Sequence, residues 1–226
     1  MEENKFVDIA ALIGEPARAK MLWNLLDGRA YTASELAMAA DISGTSASNH
    51  LTKLLGAELL KVEKQGRHRY FSFSNSEIAY AVESLASLSG RSSKNIEKEV
   101  TPRGIKYCRS CYDHLAGLVG VKVTEALEKK KAIRKSANSY LITNSGWKLL
   151  ADLEIDKNEM LGNRRPLTRQ CLDWSERKPH LAGQVGALLL RTMLDRTWLK
   201  RMKFSRELII TAKGRSEIKT LFGIEV

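Results

Sequence analysis

Residues Thr45 to Leu55 constrain this chain more than any other stretch. Thr45, Ser46, Ala47, Ser48 and Asn49 are small and mostly polar, and Leu51, Leu54 and Leu55 follow at helical spacing. Such a segment is a short helix whose leucines anchor it to a core while its first turns stay free. A helix N-terminus with small polar side chains can enter the DNA major groove and reach base edges. Next, Leu59 to Glu63 and Arg69 to Phe73 read as two strands, joined by the basic turn Lys64-Gln65-Gly66-Arg67-His68. Helix followed by basic hairpin is the layout of a winged helix-turn-helix, with the hairpin tip suited to the phosphate backbone.

Upstream residues supply the rest of that domain. Ile9, Leu12 and Ile13 form an apolar face ahead of Pro16, which suits the first turn of a second helix. Ala19, Leu22, Trp23, Leu25 and Leu26 give that helix a core stripe, ended by Gly28. A third helix opens on the capping box Thr32-Ala33-Ser34-Glu35 and packs through Leu36 and Ala40. Ile42-Ser43-Gly44 is then the turn before the recognition helix. After the hairpin, Ile78, Ala81, Val82, Leu85 and Leu88 make one apolar stripe, too exposed for a monomer and suited to a homodimer.

Residues 5 to about 88 resemble the ArsR/SmtB family of bacterial repressors. The matching residues are Leu12-Ile13-Gly14-Glu15-Pro16-Ala17-Arg18, Ser34-Glu35-Leu36-Ala37, Ser48-Asn49-His50-Leu51 and Gly66-Arg67-His68-Arg69-Tyr70. Leu26-Asp27-Gly28 makes the segment most similar to the cadmium- and lead-sensing branch. The resemblance implies a dimer that sits on operator DNA and leaves when an inducer binds. It does not extend to the family's metal sites. Arsenic- and cadmium-type members carry Cys-x-Cys where this chain reads Glu35-Leu36-Ala37-Met38-Ala39. Lys53 and Ala57 stand at the thiol positions of the cadmium/lead branch, and Glu77 to Glu83 lacks the His of zinc and nickel sensors.

By resemblance and geometry, Ser46, Ser48, Asn49 and His50 are expected to face bases, Asn being able to pair bidentately with adenine. Thr45 is expected to cap the helix and hold a phosphate at its N-terminus. Lys53 and Arg18 position the backbone, and Lys64, Arg67, His68 and Arg69 form the wing contact. His50 has packing inside the domain as its alternative, and Arg69 an inward orientation.

The net charge is +11 over 226 residues, which favours a polyanionic partner. Its location is uneven: residues 1–90 hold 9 Lys and Arg against 11 Asp and Glu, and residues 91–226 hold 28 against 15. The second half either adds counterion-release affinity along DNA or is a solvated basic surface. Three cysteines without a signal-peptide pattern or an apolar run of membrane length suit reduced thiols in the cytoplasm.

The chain divides into a winged-helix and dimerisation domain at 1–90, a linker at 91–104 and a duplicated domain at 105–226. The two copies, 105–155 and 171–226, echo each other. Cys111-Tyr112-Asp113-His114-Leu115-Ala116-Gly117 is matched by Cys171-Leu172-Asp173, six further residues, and His180-Leu181-Ala182-Gly183. Each copy continues into an amphipathic helix (Val123 and Leu127; Leu189, Met193 and Leu194). Each then has an extended run ending in Thr with Gly three residues on (Thr143 and Gly146; Thr211 and Gly214) and a closing helix (Leu150 and Leu153; Ile218 and Leu221). Neither copy can bury its apolar face alone. The fold class is therefore mainly α with small β wings (α+β): an N-terminal winged helix-turn-helix and a pseudo-symmetric C-terminal domain of two degenerate winged-helix-like halves.

Cys111 and His114 lie three apart, as ligands on one helix face do, and Cys171 and His180 repeat the pair, so the four can converge on a divalent metal such as zinc. Packing as small buried groups is the plain alternative, and a thiol redox switch is another. Trp147, Trp174, Trp198, Tyr107, Tyr112 and Tyr140, with Arg164, Arg165, Arg169 and Arg177, suit an anionic aromatic inducer. The sequence thus reads as a DNA-binding regulator, a repressor released by a metal, a thiol oxidant or a small organic ligand. An architectural DNA binder is the alternative. A Cys/His enzyme lacks a third orienting group, a phosphate loop and paired carboxylates.

Overall fold

The computed structural model describes residues 2–89, 104–160 and 165–226. It divides into two compact units, residues 1–85 and 86–226. The expected linker, apart from Gly104, and Arg164 lie outside the described residues.

The first unit runs α1 (Glu2–Gly14), α2 (Pro16–Leu25), β1 (Tyr31–Thr32), α3 (Ala33–Ala40), α4 (Gly44–Gly56), β2 (Leu60–Gln65), β3 (His68–Phe73) and α5 (Ser76–Ser89), which continues past the unit boundary. Local chemistry sets most of these boundaries. Glu15 caps α2 by accepting from the Ala17 and Arg18 amides, with Pro16 just inside the start. The Thr32–Glu35 capping box opens α3, and Asp41 in the left-handed region closes it. Asp27 is buried, takes hydrogen bonds from Arg29 and the Tyr31 hydroxyl, and so fixes the turn after α2. The starting phase of α2 places Arg18, Met21, Leu22 and Leu25 inward at positions i, i+3, i+4 and i+7. Ala19 and Trp23, expected in that core stripe, face solvent instead.

Strand order β1-β3-β2 makes a small sheet against these helices. The wing is tighter than the sequence suggests. Register runs from Leu60↔Phe73 to Gln65↔His68, so Lys64 pairs with Arg69, Gln65 with His68, and only Gly66 and Arg67 form the turn. Gly66, at φ 59, supplies the positive φ such a reversal needs.

The second unit shows one element order twice. Hairpin β4 (Arg109–Cys111) and β5 (His114–Ala116), helix α6 (Gly117–Lys129), hairpin β6 (Ile133–Ser136) and β7 (Ser139–Ile142), and helix α7 (Asn144–Asp152) come first. Hairpin β8 (Arg169–Leu172) and β9 (Pro179–Ala182), helix α8 (Gly183–Asp195), hairpin β10 (Leu199–Arg201) and β11 (Leu208–Ile210), and helix α9 (Ala212–Phe222) follow. Thr143 and Thr211 cap α7 and α9 by accepting from the Gly146 and Gly214 amides. Both glycines are obligatory: a Cβ on either would lie 2.1 Å from a carbonyl oxygen, that of Ala132 or of Trp198.

The halves are bonded crosswise. In the first hairpin, Ser110 donates its amide to Arg206 just before β11, and Leu208 donates to Cys108. In the reciprocal contact Gln170 of β8 donates to Asn138, and the Tyr140 amide donates to Thr168 Oγ1. The β4–β5 hairpin therefore extends β10–β11, and the β8–β9 hairpin extends β6–β7. A shared core forms beneath, with Val119, Val123, Leu127 and Leu150 from the first half and Val185, Leu189, Met193 and Ile218 from the second.

Candidate functional site

In the first unit the surface follows from how α4 is anchored. Ala47, Leu51 and Leu54 are buried, leaving Thr45, Ser48, Asn49 and Lys53 exposed and Ser46 half-exposed. The N-cap is Ser43, whose hydroxyl accepts from the Ser46 amide. Thr45 is thus already inside the first turn, a correction to its expected capping role. The cause is that Gly44 is helical, which starts the helix earlier. On the wing Lys64, Arg67, His68 and Arg69 are exposed, and among the described residues no acidic side chain pairs with Lys64, Arg67 or Arg69. The Arg69 guanidinium lies 5.5 Å from the Phe71 ring centre while remaining at the surface, so the inward orientation is not adopted.

Two expected DNA contacts are placed elsewhere. Arg18 is 7% exposed and donates to the Leu12 and Ala11 carbonyls at 2.5 and 3.0 Å, capping the end of α1. A guanidinium spent on those carbonyls does not reach a phosphate from this conformation. His50 Nδ1 lies 3.3 Å from Arg18 Nη1 and 3.4 Å from Glu15 Oε2, which is the packing alternative for that ring.

In the second unit Cys111, His114, Cys171 and His180 come together, with all four ligand atoms within 4.8 Å of one another. The route differs from the expected helix face. Cys111 and His114 are a cross-strand pair of β4 and β5, and Cys171 and His180 are the equivalent pair of β8 and β9. Tyr112, a non-glycine residue at φ 57, permits the two-residue reversal that turns an i,i+3 spacing into a hairpin. The longer connection between β8 and β9 only lengthens the turn. Asp173 Oδ1 accepts from the Ser175 and Glu176 amides, and Asp173 donates its own amide to Lys178, so register is kept.

The like-atom distances suit a tetrahedral site. Sγ of Cys111 and Cys171 are 3.7 Å apart, and Nε2 of His114 and His180 are 3.1 Å apart. A zinc ion at ~2.3 Å from sulfur and ~2.0 Å from nitrogen separates the sulfurs by about 3.8 Å and the nitrogens by about 3.3 Å. A carboxylate stands near each of the other ring nitrogens, hydrogen-bonded to His114 but not to His180. His114 Nδ1 is 3.4 Å from Asp113, and His180 Nδ1 is 3.7 Å from Asp173. Each carboxylate in turn meets an arginine: Arg165 grips both oxygens of Asp113, and Arg109 Nη2 donates to Asp173 at 2.8 Å.

Both flanking carboxylates are held in their ionised form. Burial would raise the Asp173 carboxyl, but Arg109 and His180 outweigh it and hold it well below the usual carboxylate range. Asp113 is likewise lowered, burial being overcome by His114 and Arg165. Two arginines cancel two aspartates, so with both thiols ionised a double negative charge remains at the centre. A divalent ion, or protons on the two imidazoles, neutralises it, since a buried net charge is costly. Arg109, 1% exposed and 4.5 Å over the Trp174 ring, was not evident in the sequence, because nothing in its spacing separates it from the surface arginines nearby.

Trp198 and Tyr140 are core residues, Trp174 stacks on Arg109, and Trp147 lines a shallow cleft of about 310 Å³ with Lys157 over its ring. Arg165 is held by Asp113, while Arg169 and Arg177 are exposed.

Residues 13–63 match the family described as helix-turn-helix domain. The whole chain is similar to a Bacillus subtilis protein described as the uncharacterized HTH-type transcriptional regulator YdfF, 36% identical over 219 residues, covering 96% of this chain and 97% of that protein. Among solved structures it is similar to HlyU from Vibrio cholerae, at 24% identity and TM-score 0.36 over 38% of this chain and 94% of that one. It is also similar to the cadmium metal-sensor CMTR from Mycobacterium tuberculosis, at 26% identity and TM-score 0.33 over 43% of this chain and 99% of that one. On the full-length match to YdfF, this chain belongs to the HTH-type transcriptional regulators.

Proposed function

We propose that the protein is an ArsR-type repressor, rather than an enzyme or an architectural DNA binder, which binds operator DNA as a homodimer and is released by an inducer sensed in its C-terminal unit. The observation that carries this reading is the exposed polar start of α4 together with an exposed basic wing. Ser46, Ser48 and Asn49 read base edges, Thr45 and Lys53 hold adjacent phosphates, and Lys64, Arg67, His68 and Arg69 hold the backbone at the wing. The likeness to the cadmium/lead branch stays one of sequence, because Lys53 and Ala57 occupy its thiol positions. The sensing element is instead the C-terminal Cys2His2 set, in which Cys111, His114, Cys171 and His180 hold a divalent metal such as zinc. The repeated element order and crosswise hydrogen bonds support two degenerate winged-helix halves about a pseudo-two-fold axis.

Footprinting on the promoter should show an inverted repeat with half-sites about one helical turn apart. Arg67→Ala should weaken binding to all sequences alike and flatten the salt dependence, while Asn49→Ala relaxes preference at one base position. Operator affinity unchanged in both variants refutes the interface. Elemental analysis of the reduced protein should find one metal per chain, lost in Cys111→Ser and Cys171→Ser.

A further inference from the structure

Three of the four clustered ligands are sealed from solvent, Cys111 and His114 at 0% exposure and His180 at 1%. Cys171 is the exception, being half-buried. Cys171 is therefore the least enclosed of the four ligands. Its sulfur sits 3.7 Å from the Cys111 sulfur on a hairpin sixty residues away in sequence. A disulfide needs about 2.0 Å between sulfurs, so an approach of under 2 Å by two short hairpins suffices.

Resting on the metal reading above, we propose that the Cys111–Cys171 pair is a peroxide-responsive latch: oxidation of its two thiolates to a disulfide expels the metal ion. The thiolate of Cys171, the least buried of the four residues, attacks one oxygen of hydrogen peroxide. The O–O bond breaks, hydroxide leaves and a sulfenic acid forms on Cys171. The Cys111 thiolate then attacks the Cys171 sulfur, the S–S bond forms and a second hydroxide departs. Two electrons pass from the sulfurs to the peroxide. With both thiolates consumed, the ion keeps only two neutral imidazoles and is lost to solvent. Each sulfur anchors one first hairpin, and each first hairpin is hydrogen-bonded to the other half's second hairpin, so the exchange is felt across the unit. Cys108 provides an internal control. It is 1% exposed, and burial pushes its thiol up to about 12, which leaves it a thiol and unreactive.

The test uses the full-length, reduced, zinc-loaded protein treated with hydrogen peroxide. A colorimetric chelator, intact mass and peptide mapping follow the site, and an operator-binding assay follows the function. One zinc per chain should be released as two thiols vanish and the mass falls by about 2 Da, with the cross-link mapping to Cys111 and Cys171. Operator affinity should change by about tenfold, an ordinary coupling, and recover with dithiothreitol and zinc. Cys108→Ser should respond identically. Zinc retained under peroxide, a cross-link through Cys108, or unaltered operator affinity overturns the latch while leaving the metal site standing. Failure of the reduced protein to take up zinc at all removes the metal reading itself.

Discussion

Arg109 and Asp173 are both almost sealed from water and joined by a hydrogen bond of 2.8 Å. Removing one member strands the other, which costs far more than the pair contributes. Asp173→Ala should lower the stability of the C-terminal unit by about 3–5 kcal/mol in urea denaturation, because a buried guanidinium loses its counter-charge. Glu15 presents the milder case of a half-buried cap. Hydrogen bonds from the Arg18 amide, then the Ala17 amide, lower its carboxyl against the opposing effect of desolvation. A lowered folded value means its contribution is complete above the ordinary glutamate range and is lost as pH falls. Glu15→Gln should therefore cost about 1 kcal/mol near neutral pH, and the difference from the parent should shrink as pH falls below the ordinary glutamate range. A gap that persists in acid argues against the charge as its origin.

Hairpins and helix starts carry the next level of organisation. Gly146 and Gly214 occupy equivalent positions in α7 and α9, each pressed against a carbonyl that a methyl group cannot share. Gly146→Ala and Gly214→Ala should each destabilise by about 3 kcal/mol or more, since backbone must shift in both. Gly44, by contrast, has open space where a Cβ would stand, so Gly44→Ala should leave the melting temperature nearly unchanged. The helix and strand pattern was largely readable from capping boxes, Thr-x-x-Gly starts and leucine spacing. The Cys111–His114 relation was not. An i,i+3 pair suits a helix face and a tight hairpin equally, and the choice rests on Tyr112 entering the left-handed region. The phase of α2 also escaped the pattern, because Arg18 takes an inward position normally given to an apolar residue.

For the molecule as a whole, exposed apolar surface and charge are the informative quantities. α1 buries no residue fully, and Phe6 is 74% exposed, while Leu85 and Leu88 on α5 are 47% and 54% exposed. Helices with such faces gain by pairing with a second copy. Leu85→Glu should shift the protein to monomer in sedimentation and abolish high-affinity operator binding; a dimer that survives it places the contact elsewhere. The positive charge lies in the C-terminal half, with Arg134, Lys135, Lys200 and Lys203 exposed on its second hairpins. If those side chains lie along DNA, neutralising Lys200 and Lys203 together should reduce the salt slope of operator binding by about two, one per phosphate contact.

What could be read without coordinates was short in range: helix starts, the basic turn, the leucine anchor, and two matched Cys and His pairs. These depend on neighbours within a few residues, whose spacing and capping chemistry are written directly in the chain. Packing settled the rest. Arg18 and His50 turn inward, Arg109 and Arg165 pair with the carboxylates beside the ligands, and four ligand atoms separated by up to 69 residues meet within 4.8 Å. Such convergence depends on which buried charges find partners and how two half-cores close on each other, and neither is encoded at any fixed spacing.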